Sequence, residues 1–325
     1  MRPFVAPADR SLDAATQAFA EAVQYYLTLT PRQLPSEFFY DPLGSALFDA
    51  ICELPWYRIS RSERALLERH GADILARVNP STVVELGPGS GGKLLTLLSA
   101  RAGARDLTVH LIDVSAAALT LASRALADLG VTHVVPHQAT YEAGLIEAAA
   151  ARTRRGRTLM LFLGSNIGNF DPPGADEFLS TVRAAVRPGD AFLIGADLVK
   201  PEHDLLLAYD DPLGVTAAFN RNLIVRINRE LGGDFAIDRF THRAAWNAAE
   251  SRVEMHLVST DRQSVRVASA SIDVTFETGE TIWTESSYKY EPDVIDRMLE
   301  RAGFRRVNQW VDDEARFALT LVEAV

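Results

Sequence analysis

The chain has 325 residues, of which 47% are hydrophobic and 23% charged, an ordinary composition for a globular protein. Its formal net charge of −10 argues against nucleic acid or an anionic membrane as a partner, because both bind basic patches. The single cysteine, Cys52, excludes an intramolecular disulfide and a cysteine-rich metal site. The N-terminus lacks the apolar segment of a signal peptide, and the longest apolar runs are too short to span a bilayer. We therefore expect a cytoplasmic protein. Our expectation for its partners is a small-molecule substrate, with the chain acting as a monomer.

The first 61 residues do not resemble the start of a nucleotide-binding sheet. Ser11 can cap a helix that runs to Leu27, and a short helix is expected near 46–52. Tyr40 and Tyr57 lie in two loops rich in proline and aromatic residues. Aromatic residues in loops usually plug a hydrophobic core, but two tyrosines in two such loops can also form the rim of a binding site.

Helices and strands alternate regularly between residues 62 and 199. The strand at 158–163 is wholly apolar, as a central parallel strand should be. This alternation predicts a doubly wound parallel sheet. The predicted strands cover 82–86, 107–114, 132–136, 158–163 and 191–196, and the predicted helices cover 62–78, the segment from the glycine turn to 102, 116–129, 142–154 and 176–186.

The alternation stops between residues 200 and 289 and then resumes. Helices are expected at 204–209 and 215–230, followed by half-buried strands at 252–258, 264–272 and 284–290. A helix at 292–302 and strands at 304–311 and 317–323 then close the sheet as in class I methyltransferases. We predict an α/β fold with two discontinuous domains: a cofactor-binding domain of residues 62–199 and 290–325, and an α+β substrate-binding domain of residues 1–61 and 200–289.

A glycine-rich turn follows the first strand of the sheet. Gly87, Gly89 and Gly92 fit the pattern G-x-G-x-x-G, which alone suits NAD as well as S-adenosylmethionine. An acid before the first glycine, Glu85, a polar segment at 164–169 and the C-terminal strand pair all favour S-adenosylmethionine. An NAD-dependent oxidoreductase stays open as an alternative at this point.

Several longer motifs make the chain resemble a known family, the histidine Nα-methyltransferases of ergothioneine biosynthesis. The resemblance covers essentially the whole chain, and all three lysines lie within its motifs. The motifs are FYDPLGSALFD at 39–49, ELGPGSGGK at 85–93, FLGSNIGN at 162–169, DLVK at 197–200, AYDDPLGVTAAFNRN at 208–222 and TESSYK at 284–289.

The resemblance implies which residues bind S-adenosylmethionine. Lys93 would pair with its methionine carboxylate and Asp113 with its ribose, while the glycines would let the backbone approach closely. The family commonly has an acid followed by an aromatic residue near the adenine, where this chain has Thr140 and Tyr141. Tyr141 can still stack on the adenine, but Thr140 is not a carboxylate. The complete predicted set is Gly87, Gly89, Lys93, Asp113, Thr140, Tyr141 and Gly164.

The resemblance also implies a substrate site. Asn169 and Tyr209 would bind the carboxylate and amine of histidine, and Tyr40 would orient the amine, so Tyr40 and Asn169 are the predicted catalytic residues. Glu285 and Ser287 face the same side of a strand and would bind the two ring nitrogens. The other predicted substrate residues are Tyr57, Met255 and Ser286.

The activity implied by the resemblance is three successive methyl transfers to the α-amine of L-histidine, which give hercynine. The nearest alternative is a related enzyme that methylates another aromatic amino acid, such as tryptophan. Indole offers one donor and no acceptor, so Glu285 and Ser287 argue against this alternative. The retained polar residues argue against a non-catalytic regulator. We expect no metal, because His133 and His137 lack a third ligand.

Overall fold

The computed structural model describes residues 14–100, 106–151 and 156–325. The predicted helix cap Ser11 lies outside these residues. The N-terminal region contains α1 (Ala14–Leu27), β1 (Arg32–Gln33), α2 (Pro42–Glu53) and α3 (Ile59–Val78). Helix α2 begins at Pro42, earlier than the predicted start near residue 46. Proline is favoured in the first turn of a helix because its missing N–H would have no partner there.

The alternating region folds as predicted, with small shifts at the ends of elements. Strand β2 begins at Pro80, before the first β-branched residues of the predicted strand. The elements are β2 (Pro80–Leu86), α4 (Gly92–Ser99), β3 (Thr108–Asp113), α5 (Ala116–Asp128), β4 (His133–Gln138), α6 (Tyr141–Ala151), β5 (Arg157–Phe162), α7 (Pro172–Ala185) and β6 (Ala191–Asp197).

The remaining elements form the region where the alternation was expected to stop, followed by the C-terminal closure. They are α8 (Glu202–Tyr209), α9 (Val215–Leu231), β7 (Phe240–Asn247), β8 (Arg252–Ser259), β9 (Gln263–Val267), β10 (Ile272–Phe276), β11 (Thr281–Tyr288), α10 (Pro292–Arg301), β12 (Phe304–Asp312) and β13 (Phe317–Ala324). Strand β7 was not predicted from the sequence.

A seven-stranded sheet forms the centre of the larger part of the chain. Its strand order is β12-β13-β6-β5-β2-β3-β4. The five strands from β2 to β6 run parallel, whereas β13 is antiparallel to both β6 and β12. All seven residues of β6 are buried, which explains its continuous apolar sequence. The predicted doubly wound sheet with a C-terminal antiparallel strand is therefore confirmed.

One predicted strand is wrong. Residues 264–272 do not form a single strand but belong to a hairpin in which Ile272 of β10 pairs with Val267 of β9. The turn between them contains Ser271 with a φ of 51°. The alternation of small residues at 268–271 imitates a strand pattern, but these side chains have little apolar surface to bury on one face. β1, β11, β8 and β7 form a separate four-stranded sheet in that order.

The chain divides into two compact units. The first comprises residues 214–243, 255–285 and the described part of 1–47, and the second comprises the remaining described residues. These limits differ from the predicted domains, since residues 48–61, 200–213, 244–254 and 286–289 belong to the unit with the seven-stranded sheet. The assignment of cofactor and substrate binding to separate domains stays a prediction.

One large part of the core of the second unit lies against one face of its sheet. Phe162, Phe192 and Ala318 of the sheet are fully buried and pack with Phe178 of α7 and Leu299 of α10. Among the helices of the described residues, none is long and apolar enough to cross a membrane.

Candidate active site

The glycine-rich turn joins β2 to α4 within the second unit. Gly87, Gly89 and Gly91 have φ angles of 68°, 54° and 80°, a region that L-residues with side chains rarely adopt. Gly92 instead starts the helix. A Cβ atom at Gly87 would lie 2.9 Å from the hydroxyl of Tyr141, whereas one at Gly89 would meet nothing within 4 Å. The turn thus leaves an open backbone surface at the carboxyl end of β2.

A buried carboxylate fixes the position of the lysine that follows this turn. Glu63 of α3 is fully buried, and its Oε2 lies 2.5 Å from Nζ of Lys93. Both carboxylate oxygens of Glu63 also accept the N–H of Gly164, at 2.9 and 2.8 Å. Glu63 therefore ties the start of α4 to the loop after β5, two segments predicted to bind the cofactor.

A second buried acid, Glu85, ends β2 beside these groups. Burial raises its pKa to about 8, the nearby charge of Lys93 lowers it, and the charges of Glu63 and Asp113 raise it further. Its Oε2 has no hydrogen-bond partner among the described residues. The carboxyl group is therefore largely protonated at neutral pH and has one polar atom unused.

Asp113 ends the neighbouring strand β3. Its carboxylate accepts the backbone N–H of Ser115 at 2.8 Å. Burial raises its pKa, while backbone hydrogen bonds from Ser115 and Gly89 act in the opposite direction. The bond to Gly89 places the predicted ribose-binding carboxylate next to the glycine turn.

Thr140 and Tyr141 begin α6 at the end of β4. Thr140 is exposed, and its hydroxyl accepts the N–H of Ala143 at 3.4 Å, as a helix cap does. The ring of Tyr141 packs edge-on against Phe162, with 5.5 Å between centroids and an interplanar angle of 82°. Tyr141 also contacts Phe178, so part of its ring belongs to the aromatic core. Burial raises the pKa of its hydroxyl, which stays protonated.

A cluster of four polar side chains, which we call the lysine cluster, lies at the carboxyl end of the sheet: Asp197, Tyr209, Ser287 and Lys289. Nζ of Lys289 donates to Oη of Tyr209 at 2.8 Å and to Oγ of Ser287 at 2.9 Å. It also lies 3.0 Å from Oδ2 of Asp197. Tyr209 donates its hydroxyl to Oγ of Ser287 at 2.8 Å. The cluster brings together two predicted substrate residues, Tyr209 and Ser287, that are 78 positions apart.

Lys289 is fully buried, and its protonation follows from its neighbours. Burial lowers its pKa, but the interactions with Tyr209 and the Asp197 carboxylate more than offset that effect, so its pKa is raised. Asp197 is shared with a second lysine, because its Oδ1 lies 2.6 Å from Nζ of Lys200. The cluster therefore holds a charged lysine beside the two hydroxyl groups of Tyr209 and Ser287.

The loop after β5 borders the lysine cluster. Ser165 adopts a φ of 60°, and its hydroxyl accepts the N–H of Asp197 at 2.9 Å. Gly168 packs so closely on β11 that a Cβ there would lie 2.7 Å from the carbonyl oxygen of Tyr288. Asn169 ends the short 3₁₀ helix Asn166–Asn169 and is exposed. Asn169 therefore directly follows the residue that packs on β11.

Tyr57 also belongs to this region of the second unit. It is buried, and its ring centroid lies 6.3 Å from that of Tyr209 at an angle of 67°. Its ring centroid also lies 6.2 Å from that of Phe48. Tyr57, Tyr209 and Ser287 are thus linked by direct contacts.

Three predicted residues belong to the first unit. The ring of Tyr40 packs against Phe219 at 5.9 Å. Met255 is buried, and its carbonyl oxygen accepts the hydroxyl of Thr284 at 3.0 Å. Glu285 is half-buried on β11, and its carbonyl oxygen accepts the indole N–H of Trp283 at 2.9 Å.

The motif residue beside Tyr40 has a structural role. The buried carboxylate of Asp41 accepts the backbone N–H of Gly44, the amide of Asn222 and the guanidinium of Arg229, at 2.6, 2.7 and 2.6 Å. Burial raises its pKa, but these hydrogen bonds lower it more, so the net shift is downward. Asp41 thereby fixes the loop that carries Tyr40.

The comparison with known proteins decides the family. A family model described as histidine-specific methyltransferase, SAM-dependent, matches residues 19–324. The chain belongs to this family of histidine-specific methyltransferases. It is 40% identical to the histidine N-alpha-methyltransferase of Mycolicibacterium smegmatis, over 95% of this chain and 96% of that protein. The protein of the same name in Mycobacterium tuberculosis is also 40% identical, over 95% and 96%. Ergothioneine biosynthesis protein 1 of Schizosaccharomyces pombe is 27% identical, over 89% of this chain and 39% of that protein.

Membership in this methyltransferase family makes the cofactor assignment to S-adenosylmethionine firm and rules out the NAD alternative. The described residues fit the cofactor: the turn is open at Gly89, and Glu85 leaves a buried oxygen unpaired beside Lys93. The individual contacts of the predicted residues with cofactor and substrate stay predictions.

Sequence reasoning did not assign functions to Glu63, Asp197 or Lys289 in this methyltransferase. Glu63 precedes Leu66 and Leu67 at helical spacing, which is a signal that a carboxylate lies on the buried face. Lys289 and Asp197 lie inside the family motifs, but their pairing depends on the meeting of β6 and β11, which no local pattern indicates.

The two histidines weighed as metal ligands have other neighbours. The ring of His137 is hydrogen-bonded to His110 at 2.9 Å and to Glu147 at 2.8 Å. His133 is exposed. Within residues 14–100, 106–151 and 156–325, the structure contains no group of three or more His, Cys, Asp or Glu side chains arranged to hold a metal ion.

Proposed function

We propose that this methyltransferase transfers three methyl groups to the α-amine of L-histidine and so forms hercynine, an early step of ergothioneine biosynthesis. The names of the mycobacterial and yeast relatives support this activity. The structural observation that carries the proposal is the hydrogen bond between Tyr209 and Ser287. It brings two family-motif residues from distant parts of the chain to one place at the carboxyl end of the sheet.

The donor binds, in this proposal, along the glycine turn. Gly87, Gly89 and Gly164 allow close backbone approach, and Lys93 has hydrogen-bond donors beyond the one that faces Glu63. Asp113 accepts the ribose hydroxyls. Thr140 and Tyr141 lie beside the adenine. S-adenosylmethionine supplies a methyl group already activated by its positively charged sulfur.

The protein's contribution to the chemistry is alignment. The substrate amine must be neutral to attack, because an ammonium group has no lone pair. Asn169 and Tyr209 hold the carboxylate and amine of histidine, and Tyr40 orients the amine. Fixing the amine in line with the methyl group supplies most of the rate acceleration, since the donor needs no further activation.

Residues of β11 and residues near it bind the side chain of histidine in this proposal. Glu285 accepts a ring N–H, Ser287 contacts the other ring nitrogen, and Ser286, Tyr57 and Met255 complete the predicted substrate set. A ring with two nitrogens uses both Glu285 and Ser287, whereas indole leaves one of them without a partner. We further propose a cytoplasmic monomer that requires no metal ion and binds neither nucleic acid nor membranes.

The test is a panel of amino acids incubated with the protein and S-adenosylmethionine, followed by mass spectrometry. We expect L-histidine to gain three methyl groups and L-tryptophan, L-phenylalanine and L-tyrosine to gain none. Methylation of tryptophan without methylation of histidine would contradict the proposal. Addition of a chelator in a parallel reaction tests the absence of a metal requirement, and we expect an unchanged rate.

A further inference from the structure

We propose that Lys289 is a positioning residue that fixes the hydrogen-bond direction of Ser287, so that this serine can only donate to the substrate. The inference rests on the proposed function and extends it. It defines the class of side chain that the site accepts: a ring with a hydrogen-bond acceptor facing Ser287. The argument depends on how the lysine cluster uses its donors and acceptors.

Lys289 has three N–H donors and no acceptor. The structure gives each donor a partner: Asp197, Tyr209 and Ser287, at 3.0, 2.8 and 2.9 Å. Because Lys289 is fully buried, water cannot replace any of these partners. The ammonium group therefore has one stable orientation, and Asp197 balances its charge.

The direction of the other bonds follows from this orientation. Oη of Tyr209 accepts from Lys289 and donates its own hydrogen to Oγ of Ser287. A serine hydroxyl has two lone pairs and one hydrogen. Both lone pairs of Ser287 are occupied, one by Lys289 and one by Tyr209. Among the described residues, no acceptor takes the remaining hydrogen of Ser287.

A buried donor without a partner is costly, and a ligand that accepts its hydrogen removes that cost. A neutral imidazole supplies such an acceptor through its unprotonated ring nitrogen. An imidazolium ring, an indole or a phenyl ring does not. Ser287 thus favours a substrate ring that carries a lone pair on nitrogen. Lys289 makes this selection strict, because it prevents Ser287 from accepting a hydrogen bond from a ring N–H instead.

Ring isosteres of histidine test this selection in the wild-type protein. 4-Thiazolylalanine and 5-thiazolylalanine carry a ring nitrogen with a lone pair at one position or the other, whereas thienylalanine carries none. We expect kcat/KM for the better thiazolylalanine isomer to exceed that for thienylalanine by about 10-fold. Ser287→Ala should reduce this preference to about 1. A wild-type preference near 1 would overturn the inference.

The role of Lys289 is tested by Lys289→Met, with Lys200→Met as the matched control. Both lysines pair with Asp197, but the contacts of Lys200 do not include Ser287 or Tyr209. We expect Lys289→Met, which frees one lone pair of Ser287, to raise kcat/KM for pyrrolylalanine, whose ring offers only an N–H donor, by about 3-fold relative to thienylalanine. Lys200→Met should show no such gain. The absence of a gain in Lys289→Met would overturn the positioning role. If that variant does not fold because Asp197 is left unpaired, the double variant Asp197→Asn, Lys289→Met removes both charges.

Tyr209→Phe gives a measurement that leaves Lys289 and Asp197 in place. It frees one lone pair of Ser287, so a ring with only an N–H donor, as in pyrrolylalanine, should gain relative to thienylalanine by about 3-fold or more. No gain would contradict the occupied lone pairs. Failure of the proposed function would look different, because the wild-type protein would then produce no methylated histidine.

Discussion

The glycine turn and the lysine cluster, which are the proposed sites of the methyl donor and of its acceptor, are built in different ways. The turn uses backbone from one continuous stretch, and two acids from neighbouring elements support it: Asp113 bonds to Gly89, and Glu63 pairs with Lys93. The lysine cluster uses side chains from β6, α8 and the end of β11, which are far apart in the sequence. The comparison teaches that the donor site can be recognised from local sequence, whereas the acceptor site exists only after the sheet has formed.

The largest expected effect concerns the support of the donor site. Glu63→Ala leaves Lys93 without its ion-pair partner and the N–H of Gly164 without an acceptor. Removing one member of a buried pair typically costs several kcal/mol, so we expect the free energy of unfolding to fall by about 3 kcal/mol. Urea denaturation measures the change. The matched control is Glu68→Ala, an exposed acid on the same helix, and an equal effect of both substitutions would contradict the role of Glu63.

The next effect separates the acceptor site from the donor site. Glu285→Ala should lower kcat/KM for histidine by about 100-fold, because a hydrogen bond to a charged group is lost. The affinity for S-adenosylmethionine, measured by calorimetry, should not change. Glu277→Ala, on the exposed segment that precedes β11, serves as the control and should leave both values unchanged. Unchanged histidine kinetics in Glu285→Ala would remove Glu285 from the site.

Glu85 gives the donor region a pH dependence. Its pKa in the folded protein, about 8, lies above the value of about 4.3 for an unperturbed glutamate. The folded state therefore keeps a proton that the unfolded state has lost, and stability decreases as the pH rises from about 5 to 8. Glu85→Gln imitates the protonated acid and should remove roughly 2 kcal/mol of this decrease. The measurement is the free energy of unfolding as a function of pH. Parallel curves for wild type and variant across this range would contradict the raised pKa of Glu85.

The smallest effect concerns the ribose. Asp113→Ala should weaken the binding of S-adenosylmethionine by about 10-fold, since two hydroxyl groups lose a charged acceptor. Asp128→Ala, an exposed acid at the end of the following helix, is the control. Calorimetric titration distinguishes the two. Equal affinity of Asp113→Ala and wild type would remove Asp113 from the donor site.

These regions also show how far the sequence alone could lead. The parallel sheet, its antiparallel closure and the glycine turn follow from local sequence patterns, and the structure confirms them. Residues 264–272 have the pattern of one strand, although a turn interrupts them, because the small residues of that turn continue the alternation. The Glu63–Lys93 pair and the lysine cluster depend on packing between distant elements, which a local pattern does not encode.

The central claim is that the protein transfers methyl groups to the α-amine of histidine and not to its ring. The most direct measurement is tandem mass spectrometry of the product formed from L-histidine and S-adenosylmethionine. The account predicts three methyl groups, all located by fragmentation on the α-nitrogen. A methyl group on a ring nitrogen, or a product in which histidine has gained none, would contradict it.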